Sequence, residues 1–186
     1  MRIAGADCAY DPVGGRCAAA VAVLEVPALT VAGVSAWVGP VEAPYVPGRL
    51  ALREAGPILR ALAGLSNPPD LLLVDGHGRA HPERRGLACV VGEAAGLPTV
   101  GVAKDLLVGH HAPLPGARGS RAPLLDRGEV VGAAVRTRAG VKPVFVSVGW
   151  GIALDPAVAL VLRVSPRYRV PEPLRAAHAA AREELE

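Results

Sequence analysis

Hydrophobic residues fall into short blocks separated by glycine and proline, and the period inside the blocks changes along the chain. Residues 1–10, 17–26 and 29–38 are apolar segments of strand length, parted by Asp11-Pro12-Val13-Gly14-Gly15 and by Pro27. Short apolar runs bounded by turn residues predict three consecutive antiparallel strands. Residues 40–48 hold too many prolines for either regular state. Beyond them Leu50, Ile58, Leu59 and Leu62 recur at helical spacing up to Gly64, which predicts an amphipathic helix containing Glu54. Pro57 has no backbone N–H, so a kink is expected there, or a break with Pro57 opening a second helix.

Residues 71–74 and 98–102 are continuous apolar runs, short enough for buried strands, with a helical pattern over 84–95 between them. Strand, helix and parallel strand is the economical reading. Residues 129–136 and 143–147 read as extended, and 155–164 and 173–186 as helical. Asp155 is expected as an N-cap with Pro156 at the first helical position. Three antiparallel strands followed by parallel strands, with helices on both faces of a mixed sheet, is the α/β architecture of the ribonuclease H-like group. With 186 residues, half of them hydrophobic, no internal repeat and no long linker, residues 1–186 are expected to form a single domain. The 22 glycines and 18 prolines lie between the apolar runs, where they mark turns rather than disorder.

A net charge of +3 and an isoelectric point near 9.0 suit an anionic partner, without the charge density of a histone-like binder. Cys8, Cys17 and Cys89 show no CxxC spacing, so neither a zinc site nor a disulfide framework is indicated. No apolar run reaches the roughly 18 residues a membrane span needs. The expectation is a soluble cytoplasmic monomer in a reducing compartment, with no membrane partner. Six aromatic residues are too few for a broad single-strand stacking platform.

Three acids stand out against this background. Asp7 interrupts the apolar opening Ile3-Ala4-Gly5-Ala6, and Asp75 ends the run Leu71-Leu72-Leu73-Val74 just before Gly76-His77-Gly78. A charge in either place costs several kcal/mol unless it is paired or ligated. With Glu54 on the intervening helix, the three can converge at one edge of the sheet, where open α/β folds place their ligands. Hard oxygen donors suit Mg²⁺, with Mn²⁺ able to substitute, and such a cation activates water for in-line displacement at a phosphate. The competing reading has each acid paired with its own arginine or capping a turn, and for Glu54 alone that reading would win. Three acids in this order favour a metal site, which requires their oxygens to lie close enough to share one cation. Elsewhere, Gly-x-Gly alone indicates a tight turn with His77 facing solvent. His110 and His111, being adjacent, point to opposite sides of an extended chain and do not form a metal site.

Five blocks, in order, resemble endonuclease V: Ala4-Gly5-Ala6-Asp7; Pro44-Tyr45-Val46-Pro47-Gly48 with Leu52-Arg53-Glu54; the run from Val74 to Pro82; Gly101-Val102-Ala103-Lys104; and the run from Val170 to His178. The resemblance implies that Asp7, Glu54 and Asp75 are metal-binding carboxylates, that His178 assists near the metal, and that Lys104 is the catalytic lysine. It implies that Tyr45, in a loop stiffened by Pro44 and Pro47, is a wedge filling the gap left by an extruded base. It further implies a base pocket that includes Gly48, Leu50, Gly76, Gly78, His81 and Leu107. Arg53, Arg79, Arg84 and Arg85 are candidate phosphate contacts. Three features depart from the family pattern. The chain is short at its N-terminus, where members usually carry a helical segment. Trp150 stands where the family has a histidine. Residues 109–120 stray from the family's sequence.

The activity implied is a Mg²⁺-dependent endonuclease that recognises deoxyinosine in DNA and hydrolyses a phosphodiester on its 3′ side, in DNA repair. Two alternatives are an inosine-binding module without turnover and an enzyme acting on inosine-containing RNA.

Overall fold

The structure, a computed structural model, describes residues 1–11 and 13–186. Pro12, in the first expected turn, lies outside the described residues. Eight strands form one mixed sheet: β1 (Arg2–Tyr10), β2 (Arg16–Glu25), β3 (Thr30–Pro40), β4 (Leu71–Asp75), β5 (Thr99–Ala103), β6 (Arg121–Asp126), β7 (Glu129–Val135) and β8 (Val144–Trp150), in the order β3-β2-β1-β4-β5-β8-β7-β6. β1, β2 and β3 pair antiparallel as expected, and β4 runs parallel to both β1 and β5. The strands beyond β5 are antiparallel, and β8, which reaches Trp150, pairs with β5.

Helices α1 (Leu50–Ala63) and α2 (Leu87–Ala95) cover one face of the sheet, and α3 (Leu154–Arg163) and α4 (Glu172–Glu183) the other. Between β4, β5 and α3 lies a core of Leu73, Val100, Val102, Val146, Val158 and Val161, while Leu72, Val74, Ile58, Ala61 and Val91 fill the opposite layer. Burial of these branched side chains is the main stabilising term, at about 1.5–3 kcal/mol each. Small residues let α4 sit close to the sheet. A Cβ on Gly5 would lie 2.2 Å from the Pro173 backbone, and Ala18, Ala20 and Ala22 of β2 meet Ala177 and Ala181. That close approach brings the α4 flank over β1, and with it His178 over Asp7.

Three local expectations are corrected. α1 runs unbroken through Pro57, because its buried stripe of Ala55, Ile58 and Ala61 holds the helix on the sheet despite the missing donor. α2 starts at Leu87 rather than at 84: Arg84 has φ +57°, and its guanidinium is committed to Asp126 and Glu129, so the chain enters the helix from extended Gly86. Asp155 does not cap α3. Ala153 occupies the N-cap, and Asp155, inside the first turn, pairs instead with Arg121 at 3.0 Å.

Candidate active site

Parallel pairing of β1 and β4 aligns Ala6 with Val74, so Asp7 and Asp75 are the next residues in register. They sit side by side on strands about 4.8 Å apart, with side chains on the same sheet face. Lys104, just past β5, pairs with the carboxylate of Asp75. From α4, His178 Nδ1 lies 2.8 Å from Asp7 Oδ2, while the Cys8 amide donates to Asp7 Oδ1 at 2.8 Å. The four side chains wall a cleft of about 350 Å³ under α4. Glu54 reaches the same strand end from the α1 layer, where the Tyr10 hydroxyl donates to its Oε1 at 2.6 Å. Asp7 and Glu54 are 8 % and 7 % exposed, so neither is the solvated acid that a lone helical glutamate suggests.

Electrostatics tie the acids together. Burial, and then the charge of Asp75, push the Asp7 carboxyl up to about 6, against the relief from His178 and the Cys8 amide. Burial pushes Glu54 up to about 7; the Tyr10 hydrogen bond opposes this and the charges of Asp7 and Asp75 add to it. Burial alone would lower the Lys104 ammonium, but Asp75 outweighs it and the pKa rises. The strand end is therefore short of positive charge. Among the described residues no three His, Cys, Asp or Glu side chains are already gathered around one point, since Asp7, Glu54 and Asp75 are each held by a different protein partner. The donor set nevertheless fits a hard divalent cation: oxygen ligands, mutually repelling and largely removed from water.

A second cavity, of about 300 Å³, opens on the other side of the Asp75–Lys104 pair, between the Tyr45 loop, the loop after β4 and residues 105–107. Gly48, Leu50, Gly76, His81 and Leu107, which the resemblance placed around a base pocket, line it together with Tyr45, which the resemblance made a wedge. Tyr45 is 66 % exposed, free of any packing under its own loop. His81 is a strut. Its Nδ1 accepts from the Glu83 amide at 3.2 Å, which leaves Nε2–H to donate to Gly48 O at 2.8 Å, tying two walls together. Gly48 has φ +77°, which favours glycine in that turn.

Other residues sit differently from expectation. Gly78 does not line the cavity: its amide donates to Ser147 Oγ at 2.8 Å, and an added Cβ would meet Val148 O at 2.1 Å, so it packs against β8. His77 faces the cavity rather than solvent, and burial followed by the neighbouring His81 lowers its pKa to about 4, keeping it neutral. Arg53 stacks on the Tyr10 ring at 3.9 Å, Arg84 is held by Asp126 and Glu129, and Arg85 pairs with Glu93. Of the four candidate arginines, only Arg79 has an exposed, uncommitted side chain. Trp150, opposite Thr99 at the start of β5, lies at the other end of the strands from Asp75, which pairs with Val102. Two contributors escaped sequence reasoning. Tyr10 carried no signal beyond being an aromatic residue at a strand end. Arg169, which donates to Lys104 O and to Pro143 O, was one surface arginine among many.

The family model for Endonuclease V matches residues 1–179. Endonuclease V of Roseiflexus sp. (strain RS-1) is 50 % identical over 179 residues, covering 96 % of this chain and 80 % of that protein. The crystal structure of endonuclease V from Streptomyces avermitilis superposes with a TM-score of 0.95 at 46 % identity, covering 100 % of this chain and 81 % of that one. That of Ciona intestinalis endonuclease V, in complex with a 24mer DNA containing an inosine followed by a ribo-adenosine, gives 0.86 at 28 % identity, covering 99 % and 85 %. No helix here is long and apolar enough to cross a membrane among the described residues. With a family model matching residues 1–179, relatives half identical over nearly the whole chain and a superposition at TM-score 0.95, this chain belongs to the endonuclease V family.

Proposed function

We propose that the chain is a Mg²⁺-dependent endonuclease that extrudes a deaminated purine, deoxyinosine, from DNA and hydrolyses a phosphodiester on its 3′ side, leaving 3′-hydroxyl and 5′-phosphate ends. The observation that carries this reading is the convergence of Asp7, Glu54 and Asp75 on one strand end beside a cavity of nucleobase size, where burial and then the charge of Asp75 raise the Asp7 carboxyl. Asp7, Glu54 and Asp75 would hold Mg²⁺, with Mn²⁺ able to replace it. Once bound, that cation supplies charge neutralisation at the phosphate and a more acidic water.

The chain's own groups account for the remaining steps. His178 orients Asp7, and Lys104 supplies an ammonium that can turn from Asp75 to a phosphate oxygen. Tyr45 occupies the space of the extruded base, offsetting part of an unstacking cost of a few kcal/mol. Gly76 and neutral His77 face the base, His81 keeps the pocket closed against Gly48, and Leu50 and Leu107 provide apolar walls. A neutral imidazole can pair with hypoxanthine N1–H or O6 according to its tautomer. The Ciona intestinalis relative bound to inosine-containing DNA supports the substrate class.

The test uses a duplex with a single inosine, incubated with and without Mg²⁺. Inosine- and metal-dependent nicking is expected, and its absence, or undiminished nicking by Asp75→Asn, would overturn the reading. Matched inosine-containing RNA separates a ribonuclease, since the 2′-hydroxyl is the local difference to be read.

A further inference from the structure

The arginines that the sequence offered as phosphate contacts are mostly committed elsewhere, yet one guanidinium that it did not single out lines the catalytic cleft. Arg175 rises from the first turn of α4, three residues ahead of His178, so the two share a helix flank. It walls the same cleft as Asp7, Asp75, Lys104 and His178. Its guanidinium carbon lies 3.6 Å from the centre of the Tyr168 ring, and its Nε is 3.4 Å from Glu172 Oε2. Lys104 and His178 are already engaged with Asp75 and Asp7. Arg175, by contrast, makes no side-chain hydrogen bond among the described residues. A guanidinium stacked on an aromatic face presents its N–H groups edge-on, in the fork that matches two phosphate oxygens, and the stack removes much of the entropy cost of fixing it.

We infer that Arg175 is a substrate-contacting residue that grips a backbone phosphate of the strand being cut, with Tyr168 as the platform that aims it. The inference rests on the nuclease reading above and adds to it a specific cation. Its place on α4, across the cleft from the base cavity, puts the contact on the far side of the Asp75–Lys104 pair. Arg182, seven residues on and lining the next hollow with His178, continues the cationic flank. A phosphate contact of this kind adds affinity without reading sequence or lesion.

The experiment measures binding of a fluorescent inosine duplex, and of the same duplex with guanine, by anisotropy in EDTA over a range of NaCl. Nicking in Mg²⁺ is followed in parallel. R175Q is expected to weaken both duplexes by about tenfold at low salt and to reduce the salt slope by about 0.9, the signature of one lost phosphate contact. R175K should keep the slope with partial affinity, Y168F should match the parent, and Y168L should weaken binding with the slope intact. E172Q removes the helix ion pair alone and should leave the slope unchanged. Since Arg175 and Tyr168 are exposed, all variants should melt with the parent. If the parent nicks at inosine but R175Q keeps its slope, or E172Q loses as much, the inference falls and the nuclease reading stands. A parent that neither binds nor nicks overturns both.

Discussion

Asp7→Asn should make the metal-free protein more stable while abolishing nicking. The carboxylate is buried beside Asp75, and its pKa stands at about 6 against an ordinary 3.8. At about 1.4 kcal/mol per unit, that shift corresponds to roughly 3 kcal/mol held against folding. The folded state binds the proton more tightly than the unfolded chain, so the penalty is complete above about pH 6 and vanishes below about pH 4. By linkage it is about half its full size at pH 5. Asparagine keeps the shape, can accept from the Cys8 amide and can face His178 with its NH₂, so the hydrogen bonds in place need not be lost. Allowing for relaxation around the acid, a gain of about 1–3 kcal/mol is expected at pH 8, or several degrees in melting temperature at this chain length. The assay is thermal and urea unfolding in EDTA at pH 8 and pH 5, repeated with Mg²⁺. The gain should shrink at pH 5, and Mg²⁺ should stabilise the parent far more than the variant. A variant no more stable than the parent at pH 8 in EDTA would show that Asp7 is comfortable without a cation, removing the physical basis of the metal site.

Gly78→Ala should fail to fold or lose more than about 3 kcal/mol, because its Cβ would lie 2.1 Å from Val148 O, far inside van der Waals contact with a paired strand; soluble yield and urea midpoint report it. Tyr45→Ala should leave the melting temperature unchanged, since Tyr45 is largely exposed, yet lower the ratio of nicking at inosine to nicking of undamaged duplex by about tenfold or more.

The strands that build the site were legible because each is an apolar run closed by turn residues, and Asp7 and Asp75 were visible as charges breaking or ending such runs. β6 was not, since Arg121-Ala122-Pro123-Leu124-Leu125-Asp126 carries a proline that only an edge strand tolerates. The cap at Asp155 failed for a different reason: its carboxylate had a competing partner in Arg121, 34 residues away in sequence. Contacts of that reach explain most of what the sequence hid in the site. Tyr10 meets Glu54 across 44 residues, and Arg169 braces Lys104 across 65. Local pattern contains no signal for either. His81 was assigned to the pocket from resemblance, and its work as a strut to Gly48 emerges only when the two loops are brought together in space.

Asp75 and Lys104 form the wall between the base cavity and the cleft, which ties recognition to chemistry. In the free protein each satisfies the other, so the lysine holds back an oxygen that a cation would use and the acid holds back an ammonium that a phosphate would use. On the proposed function, a base seated in the cavity would draw its backbone against this wall, where a phosphate could take Lys104 and release Asp75. Lys104→Met separates this account from one in which the lysine only binds substrate. Removing the ammonium leaves Asp75 unpaired, so Mn²⁺ affinity in the absence of DNA, read by electron paramagnetic resonance, should rise. The gain should be roughly tenfold or less, because Lys104 is nearly half exposed and screened. Turnover at saturating metal should fall by about 10²-fold or more, as for loss of a group aimed at transition-state charge. Weaker metal binding in the variant would mean that Lys104 supports the cation site rather than competing with it, and the proposed exchange would be wrong.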